Sequence, residues 1–508
     1  MAEAASPVDA VEAVTRELGE ALGAVTASLL IADLSGRGLV RLAHVVVGEA
    51  GHQPRRKGDR SDAEESAVLM PFDGGPVEQA LRTQELRSLP PGESYLGGIR
   101  ADQWTVLAPV TERGEVLGLL EMSLRTEPSA DELAEIARTA HLLGFVLIAN
   151  GRHTDLFEWG QRSTAFTLPA EIQRRLLPSA FTCEGGSFTL SAWLEPAANV
   201  GGDTFDYSLG RDVLHLTITD AMGHGVASAL TATLCVGSLR NTRREGASLL
   251  DQVADANTAL SDYATTVGED GYATGLVGRL DLRTGVLRLV NAGHIAPYLA
   301  RSEEVGPIEL ATCLPMGLFP DAEYSASELQ LEAGDRVVFV TDGMLERNAA
   351  ALDLMAEIGQ TRSMHPRETT RRLADLVLDV TGPTLADDAT LLVLDWHGHH
   401  GRDRDTVAGA DASAPDPALP VQSPANVHQR PARSSSACTS ATRETRSTVP
   451  EVGMRTRVAW PPAHTRTTKE SGVLPHRVAE VAAVGGVGSD RSVVRRVAQL
   501  QARRPDAV

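Results

Sequence analysis

The sequence predicts an α+β protein with two folded parts followed by a disordered tail, on three observations. Strand and helix patterns alternate from about residue 165 to 397. Acidic residues recur where the strands of that stretch end. After about residue 401 the chain turns rich in Ser, Pro, Thr, Arg and Ala and loses sustained apolar periodicity until Val478–Val487. With 508 residues and 42% hydrophobic side chains there is enough chain for two to four domains of roughly 100–200 residues with ordinary cores.

The first part, 8–150, opens with an amphipathic helix over Val8–Leu22. Strand-like runs follow at Ala27–Asp33 and Leu39–Val47, then a Gly-rich charged loop at Gly48–Glu65. Trp104–Val110, a turn at Glu112-Arg113-Gly114 and Val116–Leu124 read as a hairpin. Ser129 with Glu132 three residues on predicts a capping box. Leu133, Ile136, Ala137, Ala140, Leu143 and Leu147 then recur at helical spacing. That exit helix reads either as a dimer seam, which predicts a homodimer, or as a helix packed on its own domain; the stripe is the same for both. Residues 151–178 are read as linker helices, with a short helix at Pro169–Leu177 that Pro178 ends.

Four acidic clusters carry the chemistry of 179–397: Val200-Gly201-Gly202-Asp203 with Asp206 following, Asp220-Ala221-Met222-Gly223-His224-Gly225, Thr341-Asp342-Gly343, and Asp387-Asp388-Ala389-Thr390. Leu214, Leu216 and Ile218 alternate with His215, Thr217 and Thr219, the period of a half-buried strand, and Asp220 stands at its end. Val337–Val340 is a buried strand with Asp342 just past it, and Asp387 precedes the strand Leu391–Leu394. If these strands are neighbours, several carboxylates converge and raise one another's pKa unless cations neutralise them. Hard oxygen ligands of this kind select Mg²⁺ or Mn²⁺ over zinc. Two such ions activate a water and clamp phosphoryl oxygens in an in-line displacement. Taken singly each motif is an ordinary turn or cap; their weight lies in the order of all four.

Charge and cysteines bound the function class. The formal net charge is −20, which disfavours nucleic acid and anionic membrane as partners. The tail beyond 401 carries 16 basic and 10 acidic residues, so the preceding part is more acidic still. Cys183, Cys235, Cys313 and Cys438 match neither a zinc pattern nor a disulfide framework, which suits a reducing cytoplasm. The N-terminus lacks a basic region with an apolar core, and no run of about 18 apolar residues predicts a membrane span.

The order VGGD, DAMGHG, NAGH, TDG and DDAT resembles the PPM-type protein phosphatases, in their SpoIIE-like or RsbU-like branch. "AEIQRRLLP" resembles that branch's linker helix, and "LPMGLFP" at 314–320 its loop. Residues 8–150, with the phrase "LAPVTERGEVLGLLEM", resemble a GAF sensor domain. The resemblance implies an α/β/β/α sandwich and a dinuclear Mn²⁺ or Mg²⁺ centre. It carries Asp220 over as the bridging carboxylate, the Ala221 carbonyl as a further metal contact and Asp342 and Asp387 as terminal ligands. Asp203 would order the metal or its waters, and Asp387 is preferred over Asp388. Asp203, Asp220, Asp342 and Asp387 would thus be catalytic through bound metal. Thr204 stands where an aromatic is common and Ala221 where Val, Ile or Gly is usual, and neither departure removes a carboxylate.

The implied function is a cytoplasmic serine/threonine phosphatase acting on a phosphorylated regulatory protein, a STAS-type anti-anti-sigma factor, under a sensor that binds a small molecule or protein. Three rivals remain: a catalytically silent phosphoprotein-binding scaffold, a pure ligand-sensing scaffold, and a metal nuclease that the acidic body disfavours. His294 is read as shaping a loop beneath the site, Asn291 as holding a sheet end, Glu346 as capping or facing solvent, and His397, His399 and His400 as loose ends after the last strand.

Overall fold

The computed structural model describes residues 9–32, 38–47, 69–71, 75–93, 102–154, 167–195, 201–268, 271–345, 353–381, 385 and 387–399. All belong to one compact unit spanning Met1–Ser423. The expectations for Gly48–Glu65, Glu346, His400, part of the linker and the tail lie outside these residues.

The N-terminal part is a six-stranded antiparallel sheet in the order β3-β2-β1-β6-β5-β4. Its strands are β1 (Thr26–Ala32), β2 (Gly38–Val46), β3 (Leu69–Pro71), β4 (Arg87–Leu89), β5 (Trp104–Glu112) and β6 (Glu115–Leu124). Helices α1 (Ala10–Ala21) and α3 (Ala130–Gly151) cover one face, where Val11, Leu18, Ile136, Ala140, Leu143 and Leu147 meet Leu29, Ile31, Val106 and Ala108. Helix α2 (Pro76–Thr83) covers the other with Val77, Ala80 and Leu81 on Leu30, Leu39, Leu107 and Leu119. With both faces buried, β1 and β5 read as continuous apolar runs rather than alternating ones. The predicted hairpin is present, and its two turn residues Arg113 and Gly114 have φ of 44° and 84°, as a two-residue turn between twisted strands requires. Ser129 and Glu132 close the predicted capping box. On α3, Leu143 and Leu147 pack on the helix's own sheet, while Leu142, Phe145 and Ile148 are exposed.

Helix α4 (Leu168–Leu176) stops before Leu177-Pro178, as expected. Two sheets follow. The first has the order β15-β12-β11-β10-β9, with β16 beside β12. Its strands are β9 (Asp203–Leu209), β10 (Val213–Ala221), β11 (Ala273–Asp281), β12 (Val286–Ala292), β15 (Thr312–Cys313) and β16 (Ser327–Gln330). The second has the order β14-β13-β17-β18-β8-β7. It comprises β7 (Thr182–Glu184), β8 (Phe188–Glu195), β13 (Tyr298–Arg301), β14 (Glu304–Pro307), β17 (Arg336–Val340) and β18 (Ala389–Trp396).

The core lies between these sheets, where Phe205, Leu214, Leu216 and Ile218 of the first meet Phe188, Leu190, Phe339, Leu392 and Leu394 of the second. Helices α5 (Val226–Glu245) and α6 (Leu249–Val267) bury Ala232, Cys235, Leu239, Val253 and Leu260 on the outer face of the first sheet. Helices α7 (Leu354–Gln360) and α8 (Pro366–Thr381) bury Ile358, Leu373 and Val377 on the second. The result is the α/β/β/α layering.

The hairpin turn of the N-terminal sheet rests on β7, the edge strand of the second sheet. Glu184 N donates to Arg113 O at 2.9 Å, and Thr182 N to Glu115 Oε2 at 2.7 Å. Arg367 at the start of α8 donates to Gly114 O at 3.0 Å and to Arg82 O at 2.9 Å, while Arg82 Nε meets Glu368 Oε2 at 2.8 Å.

Candidate metal centre

Asp203 opens β9 and Asp220 nearly closes β10. The strands are antiparallel and pair Asp203 directly with Asp220. The first cluster does not follow a strand: Asp203 begins β9, just as the Asp387-Asp388 pair precedes β18, and antiparallel pairing brings Asp203 to the same end of the sheet as Asp220. Gly202 lies against the Ala221 carbonyl, where an added Cβ would meet the oxygen at 2.5 Å. In the second sheet β17 and β18 are paired, so Thr341-Asp342 and Asp387-Asp388 emerge side by side. Thr341 N donates to Thr390 O at 3.1 Å and Thr390 N to Thr341 Oγ1 at 2.9 Å. Gly343 is forced by packing, since an added Cβ would lie 2.0 Å from Asp388 O.

The five aspartates grade from buried to open. Asp203 and Asp388 are buried, Asp220 and Asp387 are half-buried, and Asp342 is exposed. Burial, then the charges of Asp220 and Asp388, push the Asp203 carboxyl well above the usual range. Asp220 is pushed up to about 7 by burial and by Asp342, Asp387 and Asp388. Asp387 is raised by burial and by Asp342, against a lowering hydrogen bond from Asp388 N. Carboxylates that raise one another in this way favour whatever cation neutralises them.

The inner carboxylates are tied down. Thr341 Oγ1 and Thr390 Oγ1 donate to Asp203 Oδ2 at 2.7 and 2.6 Å. Asp388 Oδ2 accepts from Gly202 N at 3.1 Å and from Gln173 Nε2 at 2.6 Å. The same amide donates to Asp203 O at 2.8 Å. Gln173, on α4, was not anticipated as a site residue. Its signals were its place in the phrase AEIQRRLLP and an amide on the inner face of an amphipathic helix, between Ala170 and Leu177.

The donor set fits a hard divalent cation: carboxylates and the Ala221 carbonyl at one end of two sheets, with no thiolate or imidazole among them. Among the described residues no group of three or more His, Cys, Asp or Glu side chains is drawn tightly enough to hold an ion by itself. Mg²⁺ commonly keeps several waters and takes one or two carboxylates, so the looser arrangement is compatible with it.

The neighbouring residues have other roles. Asp206, two positions after Asp203, is held by Arg240 at 2.8 Å and Arg243 at 3.0 Å and stands apart from the cluster as an ion-pair anchor. His294 is turned into the protein, with Nδ1 2.8 Å from Thr274 Oγ1 and Nε2 3.2 Å from Val340 O. Asn291 holds that loop through His294 N at 2.7 Å and His294 O at 3.0 Å. His224 is exposed. Thr204 pairs with Thr219 at 2.5 Å. His397 is not a loose end: its Nε2 lies 2.7 Å from Thr189 Oγ1 and its N donates to Ser187 O, extending the hold on β8.

Residues 210–397 match the family described as Stage II sporulation protein E (SpoIIE). Protein IcfG of Synechocystis is 25% identical over 201 residues, 35% of this chain and 32% of that protein. Phosphoserine phosphatase RsbP of Bacillus subtilis is 24% identical over 186 residues, 35% of this chain and 46% of that protein. Phosphoserine phosphatase RsbU of Bacillus subtilis is 22% identical over 233 residues, 45% of this chain and 68% of that protein. The chain thus spans less than half the length of the first two. The stretch 210–397 that matches the SpoIIE family model is the one that holds Asp220, Ala221, Asp342, Asp387 and Asp388.

Proposed function

We propose that this chain is a metal-dependent serine/threonine phosphoprotein phosphatase. One observation carries the reading: five aspartates from four separated segments meet at one end of the two-sheet sandwich, graded from buried to exposed. Asp220, Asp342, Asp387 and the Ala221 carbonyl would hold Mn²⁺ or Mg²⁺, with Asp203 behind them. The buried carboxyl of Asp388 is committed to Gln173 and Gly202, which favours the more open Asp387 as the ligand. Two such ions, when bound, supply an activated water and positive charge for phosphoryl oxygens. The chain's own part is to fix the carboxylates: the paired strands set Asp203 opposite Asp220, and Gln173 and the threonine hydroxyls hold the inner oxygens.

The substrate we propose is a phosphoserine or phosphothreonine on a regulatory protein, of the STAS-type anti-anti-sigma class. The names of RsbP and RsbU as phosphoserine phosphatases support the phosphoserine part. Control by the N-terminal part, read as a GAF-like sensor, is supported by the hairpin turn resting on β7 and α8. A homodimer through the exposed Leu142, Phe145 and Ile148, and a cytoplasmic location, belong to the same proposal.

The test is phosphate release from a small aryl phosphate by the full chain, with and without Mn²⁺, for wild type and Asp220→Asn. Manganese-dependent release that disappears in the variant is expected. Equal release by both proteins would sink the assignment.

A further inference from the structure

We infer that Thr341 and Thr390 are positioning residues that make Asp203 a one-oxygen carboxylate, with Oδ2 committed to the protein and Oδ1 left for a cation. The inference rests on the proposed function.

The geometry is specific. Two hydroxyls from neighbouring strand ends point at the same oxygen, Asp203 Oδ2, at 2.7 Å for Thr341 and 2.6 Å for Thr390. The Thr341 hydroxyl also accepts from Thr390 N at 2.9 Å. A hydroxyl has one hydrogen. With its oxygen receiving from Thr390 N, the Thr341 hydroxyl sends its hydrogen to Asp203. The chain of bonds therefore runs one way, from Thr390 N through Thr341 Oγ1 to Asp203 Oδ2. Thr390 Oγ1 closes the set from the other side. A carboxylate oxygen accepts about two such bonds, so Oδ2 is filled. Thr341 and Thr390 are both fully buried, and Asp203 is 2% exposed, so water does not compete for these positions.

The arrangement spans both sheets. Asp203 belongs to β9 of the first sheet, and its two donors lie at β17 and β18 of the second. The hydroxyl pair therefore fixes the torsion of the carboxylate and pins the two sheet ends to each other where the aspartates meet. Outer groups that orient ligating side chains typically change metal affinity about 10- to 100-fold when removed.

The experiment is calorimetric Mn²⁺ titration of the full chain, without substrate, for wild type, Thr390→Val and Thr390→Ser. Valine keeps the branched shape and removes the hydroxyl, whereas serine keeps the hydroxyl. Mn²⁺ affinity is expected to fall about 10- to 100-fold in Thr390→Val and to return within about threefold of wild type in Thr390→Ser. A folded Thr390→Val with wild-type affinity would overturn the inference, as would a serine variant as weak as the valine one. Asp203→Asn is the second variant if valine does not fold. Its amide oxygen can take the Oδ2 place between the two hydroxyls, while its NH₂ fills the cation-facing place. It is therefore expected to melt within a few degrees of wild type and to bind Mn²⁺ at least tenfold more weakly. Unchanged Mn²⁺ affinity there would equally overturn the inference. A wild-type chain that binds no Mn²⁺ would instead remove the metal reading on which the inference stands.

Discussion

Gln173 reaches across 215 positions of the chain to hold Asp388, its side-chain amide 2.6 Å from the carboxylate oxygen. The same nitrogen holds the backbone of Asp203 at 2.8 Å, so one amide on α4 ties together two acidic segments from different sheets. Gln173→Ala should lower Mn²⁺ affinity by about 10- to 100-fold, the usual range for a group that orients ligands. Gln173→Glu should be worse above pH 7, because a new carboxylate would face Asp388. Aryl phosphate release against Mn²⁺ concentration checks both. Alanine and wild-type curves that superimpose would deny Gln173 its role.

Removing a carboxylate should have opposite effects with and without metal. In metal-free protein Asp220 carries unrelieved repulsion from Asp342, Asp387 and Asp388. Asp220→Asn should therefore melt higher than wild type in chelator at pH 8, by a few degrees at about 2–4 °C per kcal/mol. Added Mn²⁺ should raise the melting temperature of wild type and leave the variant nearly where it was. Scanning calorimetry in the two buffers reads the crossover, and equal rises in both proteins would count against Asp220 as a ligand.

Gly343 tolerates no side chain. Its place 2.0 Å from Asp388 O in Cβ terms means that Gly343→Ala must push apart the segments bearing Asp342 and Asp388. A loss of about 1–3 kcal/mol in stability is expected, with a larger proportional loss in manganese-dependent turnover. Urea unfolding and the phosphate assay together measure it. A variant indistinguishable from wild type in both would show that the loop has room.

Acid should destabilise the protein partly through His294. Burial pushes this imidazole down to about 4, against a smaller opposing effect of its bond to Val340 O. A carbonyl accepts only, so Nε2 carries the hydrogen and Nδ1 accepts from Thr274. The folded pKa is depressed below the unfolded value near 6.5. Its contribution is therefore fully present above about 6.5 and is lost as pH falls toward 4, on the order of 3 kcal/mol in all. The aspartate cluster titrates in the opposite sense, so the measurement is a difference. Between pH 7 and pH 5 the urea midpoint should fall further for wild type than for His294→Gln. Parallel falls would mean that His294 does not set the slope.

Much of the architecture was legible in the sequence because local chemistry and burial agree there. Arg113-Gly114 between two apolar runs forces a two-residue hairpin, Ser129 with Glu132 caps α3, and Leu214, Leu216 and Ile218 alternate onto the core. The acidic site was legible from four acidic clusters recurring in one order beside apolar strands, since any one of them alone is an ordinary turn or cap. What escaped were contacts set by tertiary pairing. Gln173 and Asp388 are neighbours only because α4 packs beside the ends of both sheets, and nothing in their own segments records it. Thr341 and Thr390 were visible as motif letters, but their shared target, Asp203 Oδ2, required the cross-sheet register. Asp206 illustrates the reverse: near the acidic cluster in sequence, it is captured by arginines of α5.

The hairpin turn on β7 has a further consequence for the sheet edge it covers. A terminal strand of a sheet offers an open row of amides and carbonyls to any other chain with a free edge. Here Arg113 O and the Glu115 carboxylate occupy the amides of Glu184 and Thr182, so that edge is already bonded within the chain. A chain shortened to begin near residue 165 would lose that shield and present β7 as a sticky rim. Its self-association, rather than any loss of the aspartates, would then set how far such a fragment can stand in for the whole protein.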